Sequence, residues 1–308
     1  MRVATAAVCR THEVCSDTGI KSDIALLAGV PACQGDHVTV LDISIDANIQ
    51  PLVAMLARGA SVLYVDHHGA TRIPAHPLLH ALIDNSPDVC TGILVDRYLR
   101  GRYRIWAVVA AFGDGLDERA GDLACSLQLD AQQTAALRDL GICLNYNAYG
   151  ATLAELNADP ALVYASLHRY ADPFEFMRSE ALYQRIRAAR DRDLDCATRL
   201  AVRLSASGGE ALLLPDAVWR RRVRGIYANS LAHASPERAH ALLVENANDT
   251  YTVSVRAPLK GSQALRGADR VCRQFERGGG RPAAASIPLL PKKLLHVFIQ
   301  AFDETFGV

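Results

Sequence analysis

Val62-Leu63-Tyr64-Val65-Asp66-His67-His68 decides how this chain folds. A short run of β-branched, aliphatic and aromatic residues reads as a buried strand. Three residues able to bind or position a metal follow at its C-terminal end, the edge where open parallel sheets bind ligands. Working outward, the arrangement recurs. Val38–Leu41 runs straight into Asp42, Val3–Cys9 precedes His12 and Asp17, and Ile105–Phe112 is apolar throughout before Gly113-Asp114. All four runs are read as strands. The stretches Gln50–Arg58 and Thr91–Arg100 read as crossover helices, so βαβ units and a parallel sheet are expected.

With those strands as neighbours, His12, Asp17, Asp42, Asp66, His67, His68 and Asp114 meet on one rim. Imidazole together with carboxylate suits first-row divalent ions, whereas an all-oxygen set favours magnesium or calcium. Seven such groups exceed the needs of one ion. Two ions sharing a bridging carboxylate is the natural reading, with Asp42 as the bridge because it stands flush with its strand end. Metal pairs roughly 3.5–4 Å apart activate water and clamp the oxygens of a displacement at phosphorus.

These residues resemble the DHH phosphoesterase superfamily, in the branch with a C-terminal DHHA1 domain, and the resemblance covers nearly the whole chain. His12–Asp17 is similar to the initial His/Asp motif, Asp42 to the lone aspartate of the second, Asp66-His67-His68 to the third and Asp114 to the fourth. Val253-Ser254-Val255-Arg256, followed by Gly278-Gly279-Gly280-Arg281 and small residues, is similar to the DHHA1 signature. The resemblance implies an α/β protein: a parallel-sheet DHH domain, a smaller α/β DHHA1 domain and an active site in the interdomain cleft. It implies manganese dependence, with His12, Asp17, Asp42, His67 and Asp114 as ligands. Two ions are expected, one ion is compatible, and Mg2+ or Co2+ are the substitutes. Asp66 would orient an imidazole, and His68 would face the substrate phosphate. Two positions depart from the pattern. Asp17-Thr18-Gly19 offers one carboxylate where two are common, and Arg281 replaces a histidine, keeping a phosphate donor but no proton carrier.

The 308 residues suit two domains, placed at 1–200 and 201–308. Thirty-three basic and thirty-three acidic residues cancel, which argues against a global grip on long nucleic acid. Lysine stands only at 21, 260, 292 and 293, so nearly all positive charge is arginine. The eight cysteines form no CxxC pair and read as reduced, buried thiols of a cytoplasmic protein. Met1 onward reads as a first strand and not as a signal peptide, and no apolar run is long enough for a membrane helix.

Leu144–Gly150 reads as a loop between helices, with Asn147 favoured as a turn residue. Phe174–Ala197 reads as one long charged helix, and Ser205–Gly209 as a join or turn. Strands are expected at Ala211–Leu214, Ala241–Val244 and Tyr251–Val255, and a helix near Val223–His233. Trp219-Arg220-Arg221-Arg222-Val223-Arg224 is read as a charged helix face ahead of a base-stacking surface. Gly278-Gly279-Gly280 is read as a turn whose backbone N–H groups hold phosphate, with Arg256 and Arg281 adding charge-assisted bonds.

The function expected is hydrolysis of phosphodiester or phosphomonoester bonds by metal-activated water. The expected partner is a small phosphorylated substrate or a short single-stranded oligonucleotide. A homodimer is compatible with the sequence, and no membrane partner is expected. Two other readings stay open: a nucleotide-binding protein with a decayed metal site, and a polyphosphate-type phosphohydrolase.

Overall fold

The computed structural model describes residues 5–10, 13–18, 25–150, 152–246 and 248–307, the first two stretches by backbone alone. The chain forms two compact units, Met1–Ala189 and Arg190–Val308.

The first unit holds a five-stranded sheet of β1 (Thr5–Arg10), β2 (Glu13–Thr18), β3 (His37–Leu41), β4 (Ser61–Asp66) and β5 (Leu79–Ile83), in the order β2-β1-β3-β4-β5. Strands β3, β4 and β5 are parallel, and α1 (Ile49–Ala57) crosses between β3 and β4. This is the βαβ unit that the alternation of apolar runs predicts. Val38, Val40, Val62 and Tyr64 from its strands and Leu52 and Met55 from α1 are buried in one core. The first apolar run behaves differently: β1 is antiparallel to both β2 and β3. Strand β5 was missed by the sequence reading, because Leu79-His80-Ala81-Leu82-Ile83 lacks a long β-branched run.

Ile105–Phe112 is a helix and not a strand. It forms α3 (Arg104–Gly113), after α2 (Thr91–Tyr98) and before α4 (Asp117–Ser126) and α5 (Ala131–Tyr146). An unbroken apolar run suits either a buried strand or a helix buried on all sides. The alanines Ala107, Ala110 and Ala111 favour the helix, and residues 107–113 are all buried. Glycines on the flanking helices let them close on α3. A Cβ on Gly92 would stand 2.4 Å from that of Ala110, and one on Gly141 would stand 2.4 Å from the Val109 carbonyl oxygen. Gly141→Ala should therefore cost about 1–3 kcal/mol by overpacking. Urea denaturation checks this, and an unchanged midpoint would remove the close contact from the account.

The Leu144–Gly150 stretch is only in part a loop, since residues 144–146 end α5. Asn147 is buried and clamps the following segment. Its Nδ2 donates to the Ala158 carbonyl (2.9 Å), and Ala158 N–H donates to its Oδ1 (3.0 Å). After α6 (Pro160–Leu167), the expected single helix is two: α7 (Pro173–Ser179) and α8 (Ala181–Leu200). They break at Glu180, whose backbone is extended. Its carboxylate accepts from Tyr170 Oη (2.8 Å) and Arg169 Nη2 (2.5 Å).

The boundary between the units falls within α8. The second unit carries β6 (Val202–Leu204), β7 (Gly209–Leu214), α9 (Arg220–Ala234), β8 (Ala239–Glu245), β9 (Thr250–Arg256), α10 (Ala268–Cys272), β10 (Gly279–Arg281), β11 (Ala284–Pro291) and α11 (Leu295–Phe306). The sheet order is β10-β11-β9-β8-β7-β6, with only β7 and β8 parallel. One face packs Val253, Val255, Leu243 and Ile287 against Phe298 and Phe302 of α11. Arg220 and Arg222 are structural ties: Arg220 Nε donates to the Glu245 carbonyl (3.2 Å), and Arg222 Nε and Nη2 reach Asp193 Oδ2 (2.8 and 2.7 Å). Those bonds favour the helix-face reading of the arginine run.

No described helix is long and apolar enough to cross a membrane. The described cysteines are unbridged. Cys90, Cys143 and Cys272 are buried as expected, whereas Cys33 and Cys125 are exposed. Burial, and then the Asp269 charge, pushes the Cys272 thiol up to about 12, which rules it out as a nucleophile at neutral pH.

Candidate metal centre

Parallel strands β3 and β4 end side by side, and the chemistry collects at their C-terminal edge. Asp42 follows the last residue of β3 with φ +63°, a left-handed conformation that L-residues other than Asn and Asp rarely accept. Its N–H donates to the Val65 carbonyl (3.1 Å), so the pairing to β4 continues through the turn. Thr91, the first residue of α2, donates its hydroxyl to Asp42 Oδ1 (2.8 Å). Tyr64 braces the same turn from β4 by donating to the Ile43 carbonyl (2.9 Å). Burial, with the Asp66 charge, holds that phenol above its usual range, so it remains a donor.

His67 sits one residue beyond β4 and is buried. Its Nδ1 lies 3.1 Å from the Val89 carbonyl. A carbonyl only accepts, so Nδ1 carries a proton, and it is the Nδ1–H tautomer of this ring that would present a lone pair at Nε2. That Nε2 stands 3.4 Å from Asp42 Oδ1 and 3.8 Å from Asp114 Oδ2. It has no hydrogen-bond partner among the described residues. An acceptor facing two buried carboxylates is unfavourable until a positive charge lies between them. A divalent cation meets that need, and carboxylate with imidazole is a first-row donor set, so the residues present fit a metal.

Asp66 ends β4 with no solvent exposure. Its Oδ1 accepts from His68 Nδ1 (2.7 Å), while its Oδ2 has no partner among the described residues. The His68 ring is about one-third exposed. Ligand atoms of Asp42, His67 and His68 all lie within 4.8 Å of one another. The geometry thus admits His68 as a ligand as well as a phosphate donor. Asp114, the C-cap of α3, arrives from a helix end and not from the strand that its apolar run predicts. His12 lies outside the described residues. Position 17 is described by backbone alone: it pairs with Ala6, which pairs with Val40, near the sheet end that carries Asp42.

Thr91 and the Val89 carbonyl were not found from sequence. The available signal was the Ser86-Pro87-Asp88 turn before α2, which points a helix start at the strand ends.

In the second unit the glycine triplet is not a free turn, because Gly279–Arg281 pairs with β11 as an edge strand. Arg281 registers on Ala284, and Ala284 on Arg256, so both arginines belong to one cross-strand row of the same sheet face. Arg256 Nε donates to Asn229 Oδ1 (2.7 Å). Two of the glycines have structural reasons. A Cβ on Gly278 would meet the Cys272 carbonyl oxygen at 1.8 Å, and one on Gly280, which has φ +144°, would stand 2.5 Å from the Ala285 Cα of β11. Gly279 has open space where its side chain would be. Gly278→Ala should cost about 2 kcal/mol or more, while Gly279→Ala should leave stability within about 0.5 kcal/mol. Paired denaturation curves check this, and equal losses would remove the distinction.

No protein-family model matches this chain, and no curated protein matches it in sequence. Solved structures do match. A DHH domain described as belonging to a family of ribosomal proteins superposes with a TM-score of 0.58 at 13% identity, covering 86% of this chain and 68% of its own. RecJ from Thermus thermophilus, in complex with Mg2+, has a TM-score of 0.45 at 17% identity, with 83% of this chain and 46% of its own covered. PggH from Vibrio cholerae, a pGpG-specific phosphodiesterase, has a TM-score of 0.43 at 10% identity over 80% of this chain and 84% of its own. Identities this low speak to fold alone, and the first superposition carries it. The parallel β3-β4-β5 core, the motif residues at its C-terminal edge and that superposition agree: this chain has the fold of the DHH-domain proteins.

Proposed function

We propose that this protein is a manganese-dependent phosphoesterase acting on short nucleotides or oligonucleotides. The observation that carries the proposal is the buried His67 Nε2, without a hydrogen-bond partner among the described residues and set between Asp42 and Asp114. Asp42, His67 and Asp114 would hold the metal, joined by His12 and Asp17 as the motif resemblance implies. The bound ion supplies charge neutralisation at phosphorus and a more acidic water.

The chain's own residues prepare that chemistry. The Val89 carbonyl fixes the His67 tautomer, and Thr91 fixes the Asp42 carboxylate. Such partners behind the ligands set ligand orientation. Asp66 accepts from His68 Nδ1–H and stabilises the ring when it carries a proton, the form that donates to a non-bridging phosphate oxygen. Arg256, Gly278, Gly279, Gly280 and Arg281 are proposed as a phosphate-binding surface of the second unit. Arginine gives paired donors to phosphate, and Gly279 lets backbone approach an anion closely. The zero formal net charge favours short substrates over long nucleic acid. A cytoplasmic setting belongs to the same proposal, on the unbridged cysteines.

The test is a hydrolysis panel run on metal-stripped and manganese-loaded protein. It contains a p-nitrophenyl phosphodiester, a 5′-labelled pentanucleotide, a cyclic dinucleotide, a nucleoside bisphosphate and polyphosphate. Manganese-dependent turnover of a nucleotide member supports the proposal. Turnover of polyphosphate alone would overturn the substrate class, and inertness across the panel with manganese bound would overturn the activity.

A further inference from the structure

A cavity of about 350 Å3 opens beside the candidate metal centre, within the first unit. Asp42 and Thr91 line it, so it is continuous with the carboxylate and hydroxyl just described. The rest of its wall comes from α2, α3, α6 and the residues flanking them and is mostly apolar, with Tyr103, Trp106, Tyr164 and Tyr170 as its large rings. Trp106 is fixed in place: its Nε1 donates to the carbonyls of Tyr170 (3.1 Å) and Ala171 (3.0 Å). Tyr103 is partly exposed.

His168 also lines the cavity, stacked on Tyr164 with ring centroids 5.5 Å apart, and besides Asp42 one carboxylate interrupts the wall. Asp96 of α2 lines the cavity and is 6% exposed. Its Oδ2 accepts from Arg104 Nε (3.2 Å), while its Oδ1 has no hydrogen-bond partner among the described residues. A buried carboxylate oxygen without a donor is costly, and one that faces a cavity is a polar group placed to orient a ligand carrying a donor. The fitting ligand is therefore flat, apolar on its faces and equipped with an N–H donor at its edge. It also carries a group that reaches the metal centre past Asp42 and Thr91.

We infer that this cavity is a nucleobase subsite: the base beside the scissile phosphate lies among Tyr103, Trp106 and Tyr164, and Asp96 Oδ1 accepts one of its N–H groups. Aromatic rings stack on any base. Exocyclic amino groups of adenine and cytosine are donors of the required kind. The volume is at the small end for ligand sites, which suits one base and not two. A phosphate would be repelled by Asp96, so the base and not the backbone enters. Asp96 thus becomes a specificity-determining residue. Its place in catalysis rests on the phosphoesterase reading, whereas the affinity of the cavity for a base does not.

The experiment uses the Trp219→Phe protein, in which Trp106 is the sole tryptophan. Adenosine, cytidine and ribose 5-phosphate are titrated against Trp106 fluorescence, with and without manganese. Saturable quenching by both nucleosides and none by ribose 5-phosphate is expected, in either metal state. Tyr103→Ala, at a part-exposed position that folding tolerates, should raise the nucleoside Kd at least tenfold. Asp96→Leu should do the same, with its fold checked by circular dichroism. In manganese-loaded protein both variants should also lower, at least tenfold, the preference in kcat/KM for a nucleotide over a base-free phosphodiester. No quenching at millimolar nucleoside, or equal Kd values in all three proteins, would overturn the subsite. Nucleoside binding without any metal-dependent turnover would remove the phosphoesterase reading and leave the base site standing. Turnover without nucleoside binding and without preference for a base would do the reverse.

Discussion

His67→Ala should lose manganese-dependent hydrolysis by about a thousandfold, equivalent to roughly 4 kcal/mol of transition-state stabilisation, while keeping its far-ultraviolet circular dichroism. His67 meets Asp42 and Asp114 through a ring nitrogen whose tautomer is set by the Val89 carbonyl. Removing the ring leaves two carboxylates with no imidazole to share a cation, so metal affinity falls with activity. The fold should survive because His67 stands just beyond β4 and contributes nothing to the apolar core of that sheet. Manganese titration and the hydrolysis panel are run on the same preparations. Wild-type turnover in the variant would end the metal-centre reading.

Asp42 gives the second large effect, and it separates stability from activity. Asp42→Gly and Asp42→Ala should both be inactive, because each removes the carboxylate that Thr91 and His67 address. Their stabilities should differ in the direction opposite to the usual Gly–Ala order. At φ +63° alanine carries a left-handed penalty of roughly 1–2 kcal/mol that glycine does not, more than glycine's extra unfolded-state entropy of about 0.5–1 kcal/mol. The glycine variant should therefore be more stable by up to about 1.5 kcal/mol. Metal should raise the melting temperature of the wild type and of neither variant, since only a state that binds the ion gains from it. An alanine variant as stable as the glycine one would mean that the backbone at 42 relaxes, and metal-induced stabilisation in either variant would place the ion elsewhere.

Much of the site was legible because a parallel strand delivers its C-terminal residue to a known edge. Val38–Leu41 and Val62–Val65 form the expected neighbours, and Asp42, Asp66, His67 and His68 follow from them. The same logic failed at Ile105–Phe112. Burial on every side erases periodicity, so an apolar run in a helix and one in a strand read alike. Asp114 nonetheless reaches His67, because a helix end serves as well as a strand end for presenting a carboxylate. The helix predicted over Phe174–Ala197 broke for a local reason: Glu180 is held by Arg169 and Tyr170, a contact that no spacing announces.

By itself the sequence determined that β3 and β4 are parallel neighbours with acid and imidazole at one edge, since strand period and crossover length are local properties. Only the tertiary structure decided the orientation of β1, the helical state of α3 and the His67 tautomer. It alone also showed that Thr91 fixes Asp42, that Gly278 lies against the Cys272 carbonyl, and that Asp96 keeps one oxygen without a described partner beside an aromatic cavity. Each of these depends on which distant atoms a side chain meets, and that is set by packing between elements and not by the order of residues within one.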